Sequence, residues 1–243
     1  MRPSRLVFVA AAIALTLIAA ALASAGTGSS APNGALPLSV GSHPFSTCAD
    51  VDQEFFAFPA LINGDAVTLD LTASGRILDF LAPGTDDFNW QSANPIDYTY
   101  TAGNGKYRLF FNANQGNGRY IVYADCRYTG TDYDLLVESV RHVVRADLVP
   151  RPTKLNVRGS FRAHVVGGDG APLSDPALRF TLQARWGGAV HTLGNAAPQA
   201  GVLAIPYRFP ASLRGKVVAV WASAPQTDTY LAASTTKVAV RIR

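Results

Sequence analysis

From Val51 onward the chain is a succession of short apolar and β-branched runs broken by Gly, Asn and Pro. Glu54–Phe58 is one run, closed by Pro59, and Asn63-Gly64 is a turn signal ahead of the next. Asp65–Leu71 alternates, with Val67, Leu69 and Leu71 on one side and Thr68 and Asp70 on the other, the signature of a half-buried strand. Further runs at Arg76–Leu81, Ile96–Thr101, Lys106–Phe111, Arg119–Ala124 and Tyr133–Val140 keep the same spacing. Later, Leu155, Val157, Phe161, Ala163 and Val165 share one face, and Lys154, Asn156, Arg158, Arg162 and His164 the other. Phe180–Trp186 alternates into Gly187-Gly188 and out through Ala189–Leu193, a hairpin pattern. Val202–Phe209, Lys216–Trp221 and Thr236–Ile242 complete the set, with Trp186 and Trp221 read as core. No amphipathic helix interrupts these strands. The pattern predicts an all-β chain of two antiparallel β-sandwich domains, at 44–143 and 155–243. Val144–Lys154 carries Pro150, Pro152 and no period, and is expected to link them.

The first residues read differently. Arg2 and Arg5 precede an uncharged run from Leu6 to Ala23, and Ala23-Ser24-Ala25 offers a small-x-small cleavage site. Residues 1–25 are therefore expected to be a secretory signal peptide, cleaved before Gly26, with an uncleaved anchor as the alternative. Residues 26–43, with their Gly, Ser, Pro and Asn, are expected to form a flexible leader. No apolar tail follows Ile242-Arg243, so no C-terminal anchor is expected.

Export makes the cysteines interpretable. Cys48 and Cys126 are the only two, and an oxidising compartment favours a disulfide between them. No C-x-x-C or Cys/His cluster exists, so redox catalysis and structural zinc are poor readings.

Composition narrows the class. The chain has 243 residues, 48% hydrophobic and 16% charged, which excludes a solvated disordered polymer. Its net charge of +4 is unevenly placed. Residues 26–145 hold 13 acidic and 7 basic side chains, whereas 146–243 hold 4 and 12. The basic half either approaches an anionic polymer or packs on the acidic half. There is no run of consecutive Lys or Arg and no basic–aromatic motif, so nucleic acid is not an expected partner.

Two resemblances follow from particular strings. Asp50–Phe58, Asn63–Leu71, Phe80–Thr85, Gly105–Leu109 and Gly130–Val137 together resemble a bacterial pre-peptidase C-terminal domain over about residues 45–140. Gly118–Cys126 is a run additional to that pattern. Gly201–Pro206, Tyr230–Ser234 and Lys237–Val240 resemble bacterial Ig-like domains over about residues 148–243. The resemblances imply a jelly-roll-like sandwich followed by an Ig-like one, both serving as accessory, binding or spacer modules without catalysis.

The search for chemistry agrees with that implication. The sequence has no G-x-S-x-G, no H-E-x-x-H and no phosphate-binding glycine fingerprint. His43, His142, His164 and His191 stand apart from one another, and Asp86-Asp87 lies in a turn where Asp serves the backbone. Asp50, Asp52 and Glu54 would project their carboxylates to one side of an extended segment, which reads either as a calcium site or as a solvated edge. Trp90, between Asn89 and Gln91, is placed to expose its ring to a sugar, while Tyr98 and Tyr100 are better explained as packing. The expected function is thus a secreted or cell-envelope, non-catalytic binding protein that presents loops to an extracellular ligand, a glycan or another envelope protein. A carbohydrate-binding module and a calcium-stabilised adhesion module are the alternatives. No cofactor beyond that calcium, and no stable membrane span after cleavage, is expected.

Overall fold

A computed structural model of the chain describes residues 29–46, 53–73, 78–89, 91, 96–125 and 133–243. Its regular structure is strand, with 3-10 turns at Pro32–Gly34 and Ala211–Leu213. Among the described residues no helix is long and apolar enough to cross a membrane.

The front half contains β1 (Leu36–Pro37), β2 (Phe45–Ser46), β3 (Gln53–Leu61), β4 (Ala66–Ala73), β5 (Leu78–Leu81), β6 (Tyr98–Gly103), β7 (Lys106–Asn112), β8 (Gly118–Asp125) and β9 (Tyr133–Arg141). They form a four-stranded sheet in the order β1-β3-β8-β5 and a five-stranded sheet in the order β2-β9-β4-β7-β6. All pairings are antiparallel except β1 on β3. The period-two pattern decides which side chains meet. Phe56, Phe58, Tyr120 and Val122 come from one sheet, Leu69, Leu71, Leu109 and Phe111 from the other, and all are buried. Phe111 anchors the contact, its ring 4.5 Å from Phe80, 6.0 Å from Phe58 and 6.2 Å from Tyr120.

β3 departs from the sequence reading in two ways. It passes through Pro59 and ends at Leu61, with a register shift between Phe58 and Leu61 that accommodates a residue unable to donate to the ladder. It is also covered on both faces. Phe55, Ala57, Leu81 and Ile121 are buried on the side away from the main core. The amide and carbonyl of Ser29 pair with those of Phe55, and Leu38 N–H donates to Ala57 at 2.7 Å. Residues 29–38, expected as part of a flexible leader, are therefore laid along the sheet. The unbroken run Phe55-Phe56-Ala57-Phe58, with no polar alternation, is the mark of a strand buried on two sides.

The back half contains β10 (Val144–Asp147), β11 (Lys154–Leu155), β12 (Arg158–Gly167), β13 (Phe180–Trp186), β14 (Ala189–Ala196), β15 (Val202–Arg208), β16 (Val217–Ala224), β17 (Ala233–Ser234) and β18 (Val238–Ile242). A three-stranded sheet runs β10-β12-β15 and a six-stranded sheet runs β11-β18-β16-β13-β14, with β17 on β16. Phe161, Val165, Leu203 and Ile205 face Phe180, Leu182, Val220 and Val240 across a second core.

The segment expected as a linker is instead structured at both ends. β10 pairs with β12, burying Val144, Ala146 and Leu148, and β11 pairs with β18. The prolines mark only the turn between these strands, and the alternation of buried Val144, Ala146 and Leu148 is the strand signal that precedes them. Trp221 also differs from expectation. It lies on the outer face of β16, opposite in parity to buried Val220 and Ala222, with Lys237 Nζ 4.2 Å from its ring centre. Trp186 does reach inward, its ring 6.1 Å from Phe209 and stacked at 3.7 Å on His191.

Between β9 and β10 only His142 and Val143 remain, and they are bonded on both sides. Asp65, fully buried, accepts hydrogen bonds from Ile62 N–H at 3.0 Å and Val143 N–H at 2.9 Å, and its Oδ2 lies 2.9 Å from His142 Nδ1. From the other half, Thr229 carbonyl accepts His142 N–H at 2.8 Å, and Gly168 N–H donates to Val143 at 3.0 Å. Asp65 thus fixes this two-residue joint to the front half, and two backbone hydrogen bonds tie it to the back half.

Candidate functional site

The outer face of the five-stranded sheet carries a depression of about 630 Å³. Strand parity places its side chains. In the register Asp70 faces Arg108 and Leu136, Arg108 faces Thr101, and Thr72 faces Lys106 and Asp134. The odd-numbered residues of β4 point to the core, so Asp70 and Thr72 must point outward. His43, from the segment ahead of β2, closes one side.

Charges in this depression are matched across strands. Arg108 donates through Nε and Nη2 to the two oxygens of Asp70, each at 2.6 Å, a fork-to-fork pair, and lies 4.0 Å from Glu138. His43 Nε2 lies against Asp134 Oδ1 as an ion pair when the ring is protonated, without hydrogen-bond alignment. The Arg108 hydrogen bond, stronger than the opposing effect of burial, holds the Asp70 carboxyl below its ordinary range, and Asp70 in turn raises Arg108. A carboxyl so lowered stays ionised and cannot deliver a proton at neutral pH. What the surface offers is a fixed array of donors and acceptors beside two threonine hydroxyls.

The residues singled out from sequence are not gathered here. Trp90 lies outside the described residues. Asn89 is occupied by its own loop, its Nδ2 donating to Gly84 at 3.0 Å and its Oδ1 accepting from Asp86 N–H at 2.9 Å, and Gln91 is exposed. Among the described residues of this loop the exposed ring is Phe88, at 95% exposure, held by Asp86 Oδ1 accepting from the Phe88 and Asn89 amides. An apolar ring inside Asp-Asp-Phe-Asn was the available signal for it.

Of the three carboxylates read for calcium, Asp50 and Asp52 lie outside the described residues. Glu54 points into the core, fully buried, and accepts a hydrogen bond from the Tyr133 hydroxyl. Among the described residues no cluster of three or more His, Cys, Asp or Glu is placed to hold a metal ion. Cys48 and Cys126 also lie outside the described residues. Tyr98 and Tyr100 diverge: Tyr98 donates to the Leu78 carbonyl at 2.8 Å, and Tyr100 is exposed against Tyr107, with ring centres 6.2 Å apart.

No protein-family model matches the chain, and no curated protein matches it in sequence. Among solved structures, a DUF4785 family protein from Legionella pneumophila aligns with 84% of this chain at 12% identity and a TM-score of 0.28. The aligned part is 61% of that protein's own length. The adhesin domain of Epf from Streptococcus pyogenes aligns with 83% of this chain and 77% of its own, at 10% identity and a TM-score of 0.29. Scores this low do not amount to a shared fold.

Proposed function

We propose that the protein is exported and acts outside the cytoplasm as a non-catalytic binding protein, and that the depression on its five-stranded sheet takes a neutral, hydroxyl-rich ligand, a glycan. The observation that carries this reading is the matched pairing of Asp70 with Arg108 and of His43 with Asp134 on a rigid sheet. The Asp70–Arg108 pair, held by two hydrogen bonds, needs no reordering when a ligand arrives, so little conformational entropy opposes binding there. Their remaining donor and acceptor capacity, with Thr72 and Thr101, suits vicinal hydroxyls. The N-terminal signal pattern supports export, and the Cys48–Cys126 disulfide is the companion proposal for that compartment.

The test is calorimetry and a glycan array with the secreted chain, alongside Thr72→Val with Thr101→Val, which keeps the shape and removes two hydroxyls. Reversible binding weakened about tenfold or more in the double variant is expected, since each lost hydrogen bond costs about 0.5–1.5 kcal/mol. Unchanged affinity, or turnover of a bound sugar, would overturn the reading.

A further inference from the structure

The charge excess of the back half has a location. Along β12 and β15 the outward positions are Arg158, Ser160, Arg162 and His164, then Val202, Ala204, Pro206 and Arg208, all exposed. The register places Arg158 beside Arg208 at one end, Arg162 beside Ala204 in the middle and His164 beside Val202 and Asp147 further on. Arg145 extends the row on β10. Asp147 is the one carboxylate on this face among the described residues. A groove of about 390 Å³ opens where β10 ends, between Val149, Pro150 and Pro152 on one side and Ser160, Arg162 and His164 on the other.

If this charge served to hold the two halves together, these arginines would meet carboxylates of the front half. Among the described residues none of Arg145, Arg158, Arg162 and Arg208 is in an ion pair. Several carboxylates of the front half have partners within it: Asp70 with Arg108, Asp134 against His43, Asp79 with the Tyr123 hydroxyl, and buried Glu54 with Tyr133. Asp65 is committed to the joint.

We infer that the outer face of the three-stranded sheet binds a linear anionic polysaccharide, one bearing carboxylate or sulfate groups, with one acidic sugar seated in the groove over Arg162 and His164 and the chain running on to Arg158 and Arg208. Three features select this occupant. The cations run from Arg158 to Arg145, which sits opposite Val166 eight residues along the strand, about 26 Å at 3.3 Å per residue, a length that a polymer spans and a single anion does not. Guanidinium forks match carboxylate and sulfate oxygens in pairs. The outward positions between them are Ser, Ala, Val and Pro, with no aromatic ring on which a nucleic-acid base could stack.

This site lies on a different sheet from the depression and takes a different ligand class, so the two readings fail separately. The experiment uses the full secreted chain on immobilised polygalacturonate and dextran sulfate, with dextran, an oligo-dT strand and phosphatidylglycerol vesicles as comparisons. Binding to at least one charged polysaccharide but not to dextran is expected, weakening at least about tenfold between about 50 and 200 mM salt. Arg158→Ala with Arg162→Ala and Arg208→Ala should lose at least tenfold. The single reversal Arg162→Glu should lose at least severalfold, and Arg185→Ala with Lys237→Ala, on the other sheet, should change little. Thr72→Val with Thr101→Val should leave this binding intact. Parent-like binding by the triple variant, equal loss in the Arg185/Lys237 control, or tighter binding to oligo-dT or vesicles would overturn the inference. So would a dimer in sedimentation that the triple variant dissolves.

Discussion

Removing the Asp65 carboxylate should do more damage than any surface substitution in the chain. The side chain is fully buried and accepts from two backbone amides, Ile62 and Val143, as well as meeting His142 at 2.9 Å. Asp65→Ala strips both amides of their acceptor, and each buried donor left unpaired costs about 1–3 kcal/mol. Water entering beside half-exposed His142 recovers part of this, so a total loss of about 3–5 kcal/mol is expected. Asp65→Asn keeps one acceptor oxygen and should lose about half as much. The assay is urea unfolding of the secreted chain followed by tryptophan fluorescence. The pH dependence is a second, sharper readout. Burial works to raise the Asp65 carboxyl, but the bonds from His142, Ile62 and Val143 outweigh it and hold the group below its ordinary 3.8. The stability it contributes is therefore present above pH 3.8 and lost as pH falls through the lowered value. His142 is raised above its ordinary 6.5, first by its hydrogen bond to Asp65, so its contribution is full below pH 6.5 and lost as pH rises through the raised value. The stability gap between the parent and Asp65→Asn should be widest between pH 3.8 and 6.5 and narrow on both sides. A loss under about 1 kcal/mol for Asp65→Ala, against that expected cost of unpaired donors, or a gap flat with pH, would refute the joint as described.

Three further outcomes are expected. Tyr133→Phe leaves fully buried Glu54 without its hydroxyl donor and should cost about 1–3 kcal/mol in thermal or urea unfolding, reduced in the Glu54→Gln background. Gly194→Ala would drive a methyl group into the Pro206 carbonyl and to 3.1 Å from Ile205 Cγ2, where the six- and three-stranded sheets approach, at a cost of about 1–3 kcal/mol by the same assays. Thiol titration of denatured secreted protein should find no free sulfhydryl, and reduction should lower stability by about 4.5 kcal/mol for a loop closed by Cys48 and Cys126.

Strand identity was legible in the sequence because the period of two is a local property. Val67, Leu69 and Leu71 point inward wherever their strand lies, and they do. Partner-dependent features were not legible. Glu54 alternates with Asp50 and Asp52 and so reads as one of a solvated row, but the same parity that aligns it with Phe56 and Phe58 carries it into the core, where Tyr133, 79 residues away, receives it. Asp65 looked like the polar start of a strand; its partners His142 and Val143 come from the far end of the front half. Trp221 misled for another reason: one large apolar residue outweighs its small neighbours in a pattern, although Val218, Val220 and Ala222 set the buried parity. The charge split was visible as a count, but only the register shows that Arg158, Arg162 and Arg208 share one exposed face.

A bonded joint in place of a linker changes what two binding faces can do together. With a flexible tether, each face would search independently, and a second contact would add at an effective concentration set by tether length. Here the connection is His142 and Val143, held by Asp65 from one side and by Thr229 and Gly168 from the other. The depression on the five-stranded sheet and the basic face of the three-stranded sheet therefore keep one spacing and one angle. If both proposed sites hold, a polymer carrying a neutral stretch and an acidic stretch at that spacing would gain the second contact with almost no further ordering cost, whereas a purely neutral or purely acidic chain would engage one face only. Selectivity for such a polymer would then reside in the order and spacing of its neutral and acidic stretches, and Asp65, which lies in neither proposed site, would act on it only through the joint.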